Sequence, residues 1–273
     1  MSDIVLSAGV RANLLQLQQT SDLITTTQTR LATGKRVNSA LDNAINFFTA
    51  QGLDNRANDL SGLLDSMSNA INTIQAANNG ITSITKLVQS AQALTSQANQ
   101  TTDTTVRATL ASQFDALVTQ IGQLASDAGF NGVNLLAGDT LTVTFDETAA
   151  STTSVVGVDY TDATQAPLSI ANSANSWAGA ADVTAASTAL SAALTSLRGE
   201  SQTLSANLST VQIRQDFTKA TINTLQTGSA DLTLADSNEE GANLLALQTR
   251  QQLSTTALSL AAQADQNVLR LFR

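Results

Sequence analysis

The feature that most constrains this chain is that Pro167 is the only proline among its 273 residues. Average usage near 5% would give about 14 prolines in a chain of this length. Proline lacks a backbone N–H and its ring clashes with the preceding helical turn, so helix interiors exclude it. A chain almost free of proline can therefore form helices much longer than the average of about 11–12 residues.

A long apolar stripe makes use of this freedom. Its members follow one another in steps of three and four residues, and they are Leu53, Ala57, Leu60, Leu64, Met67, Ile71, Ile74, Asn78, Ile81, Ile84, Val88, Ala91, Thr95 and Ala98. The spacing predicts one helix over 53–98, about 69 Å long at a rise of about 1.5 Å per residue. A helix of that length must pack sideways along partner helices rather than around a compact centre.

Both ends of the chain carry the alternating four and three spacing of a coiled-coil seam. The N-terminal seam comprises Val10, Leu14, Leu17, Ser21, Ile24, Gln28 and Leu31, and the C-terminal seam comprises Leu253, Ala257, Leu260, Ala264, Asn267 and Leu271. Polar members weaken both seams, and such residues either fix the register or are simply tolerated. The candidate polymerisation and helix-packing residues are Val10, Leu14, Leu17, Ile24, Leu31, Leu53, Leu60, Leu64, Ile71, Ile74, Leu253, Leu260 and Leu271.

The remaining signals place the element boundaries. Capping-box spacing, with a side chain that can accept from an exposed helix N–H, predicts helix starts at Ser39 with Asp42 and at Ser237 with Glu240. Helical spacing also covers 106–128, and it returns from 183 until Gly228 stops it. Alternating apolar residues predict two short strands at 141–145 and 156–160, and 165–182 has the composition of a loop.

These signals together predict a mainly α fold. Because both terminal segments are amphipathic and neither has a local core, the economical solution pairs them and adds the inner helices as a bundle. We therefore expect a long antiparallel helical bundle or coiled coil formed by the N- and C-terminal segments. A small central β-hairpin and loop region lies between them in the sequence.

The composition excludes several classes of function. The chain has no cysteine and no histidine, which removes thiolate nucleophiles, the usual zinc ligands and the side chain best suited to proton transfer at neutral pH. Its net charge of −9 argues against nucleic-acid binding, and no stretch approaches the roughly 20 apolar residues of a membrane span. We expect a structural protein rather than an enzyme, without cofactor or metal and without a cleaved secretory signal.

Three segments carry a resemblance to a known family. Residues 30–44 read RLATGKRVNSALDNA and resemble the N-terminal signature of bacterial flagellins; residues 130–138 read FNGVNLLAG and resemble the turn after the family's second inner helix. The last ten residues, ADQNVLRLFR, are similar to the flagellin C-terminus. The motif residues are Arg30, Gly34, Lys35, Arg36, Asn38, Asp42, Phe130, Asn131, Gly132, Asn267 and Arg273. Residues 231–236 and 239–243 look most like flagellins of alphaproteobacteria.

The resemblance implies a subunit that polymerises into the flagellar filament for swimming. It implies three parts: an inner terminal-helix domain of residues 1–38 with 236–273, a helical wall domain of 39–138 with 183–235, and a short outer segment of 139–182. It further implies a helical homopolymer, alone or with other flagellins. Export through the flagellar type III apparatus with a chaperone, contact with hook-associated proteins and an extracellular location are implied too.

Three alternatives stay open at this level. A hook–filament junction protein shares the terminal-helix plan, although that family tends to place Pro-Ser where this chain has Ser39-Ala40. A coiled-coil adaptor would form finite oligomers and would need no related motifs at both ends. An enzyme that relies on carboxylates alone is a third and weaker option.

Hydroxyl-bearing residues are frequent in the middle of the chain. Surface O-glycosylation occurs in similar flagellins, and the candidates here are Thr152, Thr153, Ser154, Ser173 and Ser176. The alternative interpretation is an unmodified, solvated loop.

Overall fold

The computed structural model describes residues 8–271, without the side chains of Asp265 and of residues 268–271. Five helices dominate: α1 (Ala8–Thr33), α2 (Ala44–Gln100), α3 (Thr104–Asp127), α4 (Ala180–Thr233) and α5 (Ser237–Leu271). Strands β1 (Thr140–Thr144) and β2 (Thr152–Val156) form an antiparallel pair, and a short 3-10 helix spans Ala174–Trp177. The predicted mainly α fold class is confirmed.

The chain forms two compact units, which are described separately. The terminal unit comprises residues 1–55 with 224–273, and the central unit comprises residues 56–223. The division of the chain into three parts that the resemblance implies remains a prediction.

In the terminal unit, α1 packs antiparallel along α5, as the bond between Arg30 late in α1 and Glu240 early in α5 shows. The side of α1 that is buried or half-buried comprises Val10, Asn13, Leu17, Thr20, Ile24, Thr27 and Leu31. The predicted seam was therefore wrong at alternate positions, because Leu14, Ser21 and Gln28 are exposed. The hydroxyl of Thr20 donates to the carbonyl of Gln16 at 2.8 Å, and that bond lets this polar residue be buried.

The matching side of α5 comprises Glu240, Gly241, Leu244, Leu247, Gln251, Ser254, Leu258 and Ala261, all buried or half-buried. The predicted C-terminal seam was therefore wrong, because Leu253, Ala257, Leu260, Ala264 and Asn267 lie on the opposite, exposed side of this helix. The surface that α5 turns inward is thus half polar: it holds Leu244, Leu247 and Leu258, while three other leucines of the helix lie on its exposed side.

The connections of the terminal unit differ from the predicted helix starts. The Asp42 carboxylate accepts from the backbone N–H groups of Asn38 and Ser39, each at 2.9 Å. These bonds close a turn rather than start a helix, because α2 begins only after Asn43. The side chain of Asn43 accepts from the N–H of Asn46 at 3.0 Å, as an N-cap does. Likewise Asp236, rather than Ser237, caps α5 by accepting from the N–H of Asn238 at 2.8 Å.

Helix α4 continues through Gly228 and ends at Thr233, beyond the predicted stop. Its last carbonyl, on Thr233, accepts from the N–H groups of Arg36 at 2.7 Å and Val37 at 3.3 Å. The N–H of Ala235 donates in turn to the carbonyl of Gly34 at 3.0 Å. A glycine inside a helix costs only about 1 kcal/mol relative to alanine, so Gly228 by itself does not end α4.

In the central unit, α2, α3 and α4 share one apolar core. Its fully buried members include Met67, Ile74 and Ile84 of α2, Phe114 and Ile121 of α3, and Leu190, Leu197 and Leu204 of α4. Asp103 caps α3 by accepting from the N–H of Thr105 at 2.8 Å, and the predicted helix over 106–128 is confirmed as α3, which begins at Thr104 and ends at Asp127. Gly122 allows close approach, because a Cβ there would lie 2.3 Å from the carbonyl oxygen of Thr161.

The predicted hairpin exists, but its second strand lies earlier than expected. In the sheet Leu141 is opposite Val155 and Val143 is opposite Thr153. The alternating residues that suggested a strand at 156–160 bond elsewhere: Tyr160 donates its N–H to the carbonyl of Leu136 at 2.8 Å. The side chain of Tyr160 is buried there.

Trp177 anchors the loop that precedes α4. Its indole is fully buried and its ring centroid lies 5.0 Å from that of Phe114. Ser173 holds the same loop, because its N–H and hydroxyl donate to the Asp115 carboxylate at 2.6 and 2.8 Å.

Candidate polymerisation surfaces

The exposed side of α5 is apolar. Leu245, Leu253 and Leu260 are 67%, 66% and 62% exposed although the helix already has α1 as its neighbour. Successive helical residues turn by about 100°, so these three leucines fall within an arc of about 80°. A concentrated apolar face of this kind marks an interaction surface in a soluble protein.

Helix α1 also keeps leucines outside its seam, namely Leu14, Leu15 and Leu23. Leu23 lies beside a groove between α1 and α5 that is lined further by Thr27, Ala246, Leu247 and Arg250. Within the terminal unit, each of the paired helices thus keeps three exposed leucines beside the apolar residues that it packs inward.

One ion pair lies beside the polar seam. Arg30 Nη1 donates to Glu240 Oε1 at 2.9 Å, and the two side chains are 31% and 9% exposed. The Nε of Arg30 is buried and has no hydrogen-bond partner among the described residues. Since a buried charge tolerates few positions, this pair favours one register of α1 against α5.

The segment between α1 and α2 presents basic and apolar side chains together. Lys35 and Arg36 are exposed, and neither forms an ion pair with another described residue. Leu41 is 98% exposed. The pKa of Asp42 is lowered, chiefly by the backbone N–H groups of Asn38 and Ser39, so its carboxylate stays ionised and holds the turn that carries Leu41.

The first turns of α2 continue this apolar surface with Ile45 and Phe48, both exposed. The central unit carries a separate pair, Ile213 and Phe217, one helical turn apart on the exposed side of α4. The sequence interpretation missed Leu41 and these four residues, because it followed only the dominant stripe of each helix. Large apolar residues out of phase with a stripe were the available signal.

The central unit also contains a wide groove of about 710 Å³ between α2, the turn at 130–133 and the hairpin. Carboxylates lie along it at Asp59, Asp146 and Glu147, and Glu147 is paired with Arg56. The pKa of Asp146 is lowered by hydrogen bonds from the Thr148 hydroxyl and the Ser151 N–H, so it stays ionised.

The structure separates the predicted packing residues into inward and outward groups. Val10, Leu60 and Ile74 are buried, and Leu17, Ile24, Leu31, Leu53, Leu64 and Ile71 are half-buried. Leu14, Leu253 and Leu260 are exposed. The side chain of Leu271 lies outside the described residues. A role of these residues in polymerisation stays a prediction.

The motif residues occupy turns and connections. Gly34, Asn131 and Gly132 have φ of 67°, 49° and 81°, and Phe130 pairs through its backbone with Val133 across the turn. Asn267 lies on the exposed surface of α5, and Arg273 lies outside the described residues.

The glycosylation candidates differ in access. Thr152, Ser154 and Ser176 are exposed and Thr153 is half-buried, whereas the Ser173 hydroxyl is engaged with Asp115. Any modification stays a prediction.

Among the described residues, no helix is long and apolar enough to cross a membrane. The same part of the chain holds no group of three or more acidic, histidine or cysteine residues placed to bind a metal ion.

Comparison with known proteins gives consistent results along the chain. A family model of the bacterial flagellin N-terminal helical region matches residues 8–140, and one of the C-terminal helical region matches residues 187–272. Flagellin FljK of Caulobacter vibrioides is 33% identical, with 100% of this chain and 99% of the relative covered. A flagellin of Brucella melitensis is 31% identical, with both chains fully covered. A crystal structure of Bacillus cereus flagellin is 17% identical with a TM-score of 0.48, covering 56% of this chain and 88% of that one.

Proposed function

This chain belongs to the bacterial flagellins and is a structural subunit of the flagellar filament; from that premise we propose which of its surfaces join the copies. The outward leucines of α1 and α5 pack against the same helices of neighbouring copies. Residues 1–38 with 236–273 then form the inner layer of the filament. Residues 39–138 with 183–235 form its wall, and 139–182 face outward.

The observation that carries this proposal is the uncovered leucine face of α5. Burying a leucine completely stabilises by about 1.5–3 kcal/mol, so covering the exposed two-thirds of Leu245, Leu253 and Leu260 contributes about 1–2 kcal/mol each. The contact between α1 and α5 covers polar residues such as Thr20 and Ser254 as well as apolar ones. Contacts between copies therefore add apolar burial that this helix pair does not provide by itself.

A consequence is that the terminal unit gains much of its order on assembly. Helices with weak apolar faces are marginal by themselves and depend on packing for stability. We expect rapid hydrogen exchange of the α1 amides in free subunits and slow exchange in filaments. Strong protection of residues 8–33 before assembly would contradict this mechanism.

Seeded growth tests the leucine face directly. Subunits carrying Leu253→Gln and Leu260→Gln are mixed with filament seeds, and the subunit concentration at which growth stops is measured by sedimentation and electron microscopy. Glutamine keeps helix propensity close to that of leucine, so we expect a rise of at least about tenfold from lost burial alone.

The matched control replaces both leucines by methionine, which keeps the face apolar and close in volume. We expect the methionine variant to elongate almost as the natural chain does. Equal elongation of the glutamine variant would contradict the assignment of this face.

The remaining features of this function follow from the family. We propose that the subunit leaves the cell through the flagellar type III apparatus, is held by an export chaperone, and meets hook-associated proteins at the filament ends. Its place is then the extracellular flagellum and its work is mechanical rather than catalytic. Neither matched model nor either full-length relative favours a junction protein or a finite adaptor.

A further inference from the structure

We propose that the acidic groove of the central unit receives the basic segment around Lys35, Arg36 and Leu41 of a second copy of this chain. The groove is the one lined by Asp59, Asp146 and Glu147. The proposal rests on the proposed function, since it concerns a contact between subunits of one filament.

The groove carries an excess of negative charge. Three carboxylates line it, and the one guanidinium paired with them is that of Arg56 on Glu147. Asp146 is held by the Ser151 N–H at 2.8 Å, which fixes the position of its charge but does not neutralise it. Asp59 is exposed and forms no ion pair among the described residues. Asp59 and Asp146 therefore have no ion-pair partner among the described residues.

The segment at Lys35 has the opposite charge. Lys35 and Arg36 are the one place in the sequence where two basic residues are adjacent. Their backbone is fixed, because Lys35 pairs with Leu234 and the Arg36 N–H donates to Thr233 at 2.7 Å. Their side chains are exposed and unpaired within the described chain. The backbone that carries these cations therefore needs little rearrangement on meeting an acidic partner.

Apolar groups match as well. The groove wall includes Leu63, Val133, Leu141 and the partly exposed Phe130. Leu41 is 98% exposed at a turn that the Asp42 carboxylate closes by accepting from the Asn38 and Ser39 N–H groups. The Asp42 carboxylate on this segment is thus already engaged in these bonds.

The occupant is a second copy because every subunit carries both halves of the contact. A segment of one copy that enters the groove of the next leaves its own groove free for another copy. A heterologous contact of this type repeats without closing, as a filament requires.

Cysteine cross-linking tests the contact, because the natural chain contains no cysteine. One preparation carries Ala40→Cys beside the segment, and another carries Ser66→Cys in the groove lining. Filaments grown from an equal mixture are oxidised and run without reductant. We expect a covalent dimer from the mixture and not from either preparation alone, and no dimer when Ser66→Cys is replaced by Ser209→Cys on exposed α4.

Charge exchange gives a second, independent readout. Asp59→Lys is expected to raise the concentration at which growth stops by about fivefold at low salt, and by less at 1 M salt. Combining Lys35→Glu with Asp59→Lys should restore most of the growth. Circular dichroism of each variant checks that its helices are retained.

The outcomes separate the two proposals. If the natural chain elongates but the mixture gives no dimer and charge exchange gives no rescue, the groove contact is wrong and the filament function stands. If the double variant Ala40→Cys/Ser66→Cys closes an internal disulfide as a free subunit, the segment occupies its own groove and the proposal is overturned. Failure of the natural chain to elongate on seeds would contradict both the groove contact and the proposed polymerisation.

Discussion

The ion pair between Arg30 and Glu240 allows a quantitative test of how α1 and α5 hold their register. Replacing Glu240 by glutamine removes the carboxylate that lies 2.9 Å from the guanidinium and keeps nearly the same side-chain volume. The guanidinium is then left in a partly buried position, where its Nε already has no partner among the described residues.

The size of the loss follows from burial. Removing one member of a fully buried ion pair costs about 3–5 kcal/mol, because the surviving charge is left without compensation. The Arg30 side chain is 31% exposed, so water recovers part of that loss. We expect about 2 kcal/mol, which is about a 30-fold change in an equilibrium constant.

The assay is the subunit concentration at which seeded filament growth stops, since order in the terminal unit is coupled to assembly. Glu240→Gln should raise this concentration about 30-fold. The matched control is Glu239→Gln, which removes the same charge from the same first turn of α5 but at an exposed position. We expect little effect from the control.

A double-mutant cycle completes the test. Arg30→Gln combined with Glu240→Gln should cost less than the two single changes together, by at least about 1 kcal/mol, because neither charge is then left alone. Additivity within about 0.5 kcal/mol would refute the argument that these two groups act as a pair. Equal losses of filament stability from Glu239→Gln and Glu240→Gln would also refute the ion-pair argument. The cause would then be the loss of a negative charge at the N-terminus of α5.

Three further predictions concern the central unit and are checked by thermal unfolding of the free subunit. Burial raises the pKa of Glu200 above its ordinary value, so ionisation of this carboxyl destabilises the fold as pH rises past its unfolded pKa. Glu200→Gln should therefore raise Tm at pH 7 and leave it unchanged in strong acid. An unchanged Tm at both pH values would contradict this. Asp103→Ala removes the cap of α3 and should cost about 1 kcal/mol, with no loss counting against the cap. Gly122→Ala should destabilise the fold by about 1–3 kcal/mol, because the added Cβ meets the Thr161 carbonyl. Gly62→Ala, in open space on α2, should stabilise the fold by about 0.5–1 kcal/mol. Equal changes in Tm from the two substitutions would contradict the close approach at Gly122.

The sequence predicts the helices well because their apolar period is long. The stripe over 53–98 lies inside α2, and its members Met67, Ile74 and Ile84 are fully buried. The buried side of α1 was harder to predict, because many of its residues are polar. The helical period alone then does not show whether Asn13 or Leu14 faces α5. The bond of Thr20 to the Gln16 carbonyl permits its burial, but exposed Thr25 and Thr26 make the same kind of bond, so packing against α5 decides which side of α1 is buried.

Errors at element ends have a related cause. Ser39 and Asp42 do make the hydrogen bonds of a capping box, yet the chain turns before α2 begins. Glu240 was expected to bond locally and instead reaches Arg30, 210 residues away in sequence. The alternation at 156–160 reflects backbone pairing with Leu135 and Leu136 rather than a strand of the hairpin. In the last two cases a partner distant in sequence decides the outcome.

Trp177 has a practical consequence for following this protein in solution. It is the sole indole of the chain, Tyr160 is the sole phenol, and both are buried in the central unit. Trp177 fluorescence therefore reports on the packing of the loop before α4 against Phe114, and it does not report on α1 and α5. Emission and far-ultraviolet ellipticity recorded on the same sample will separate melting of the terminal helices from melting of the core.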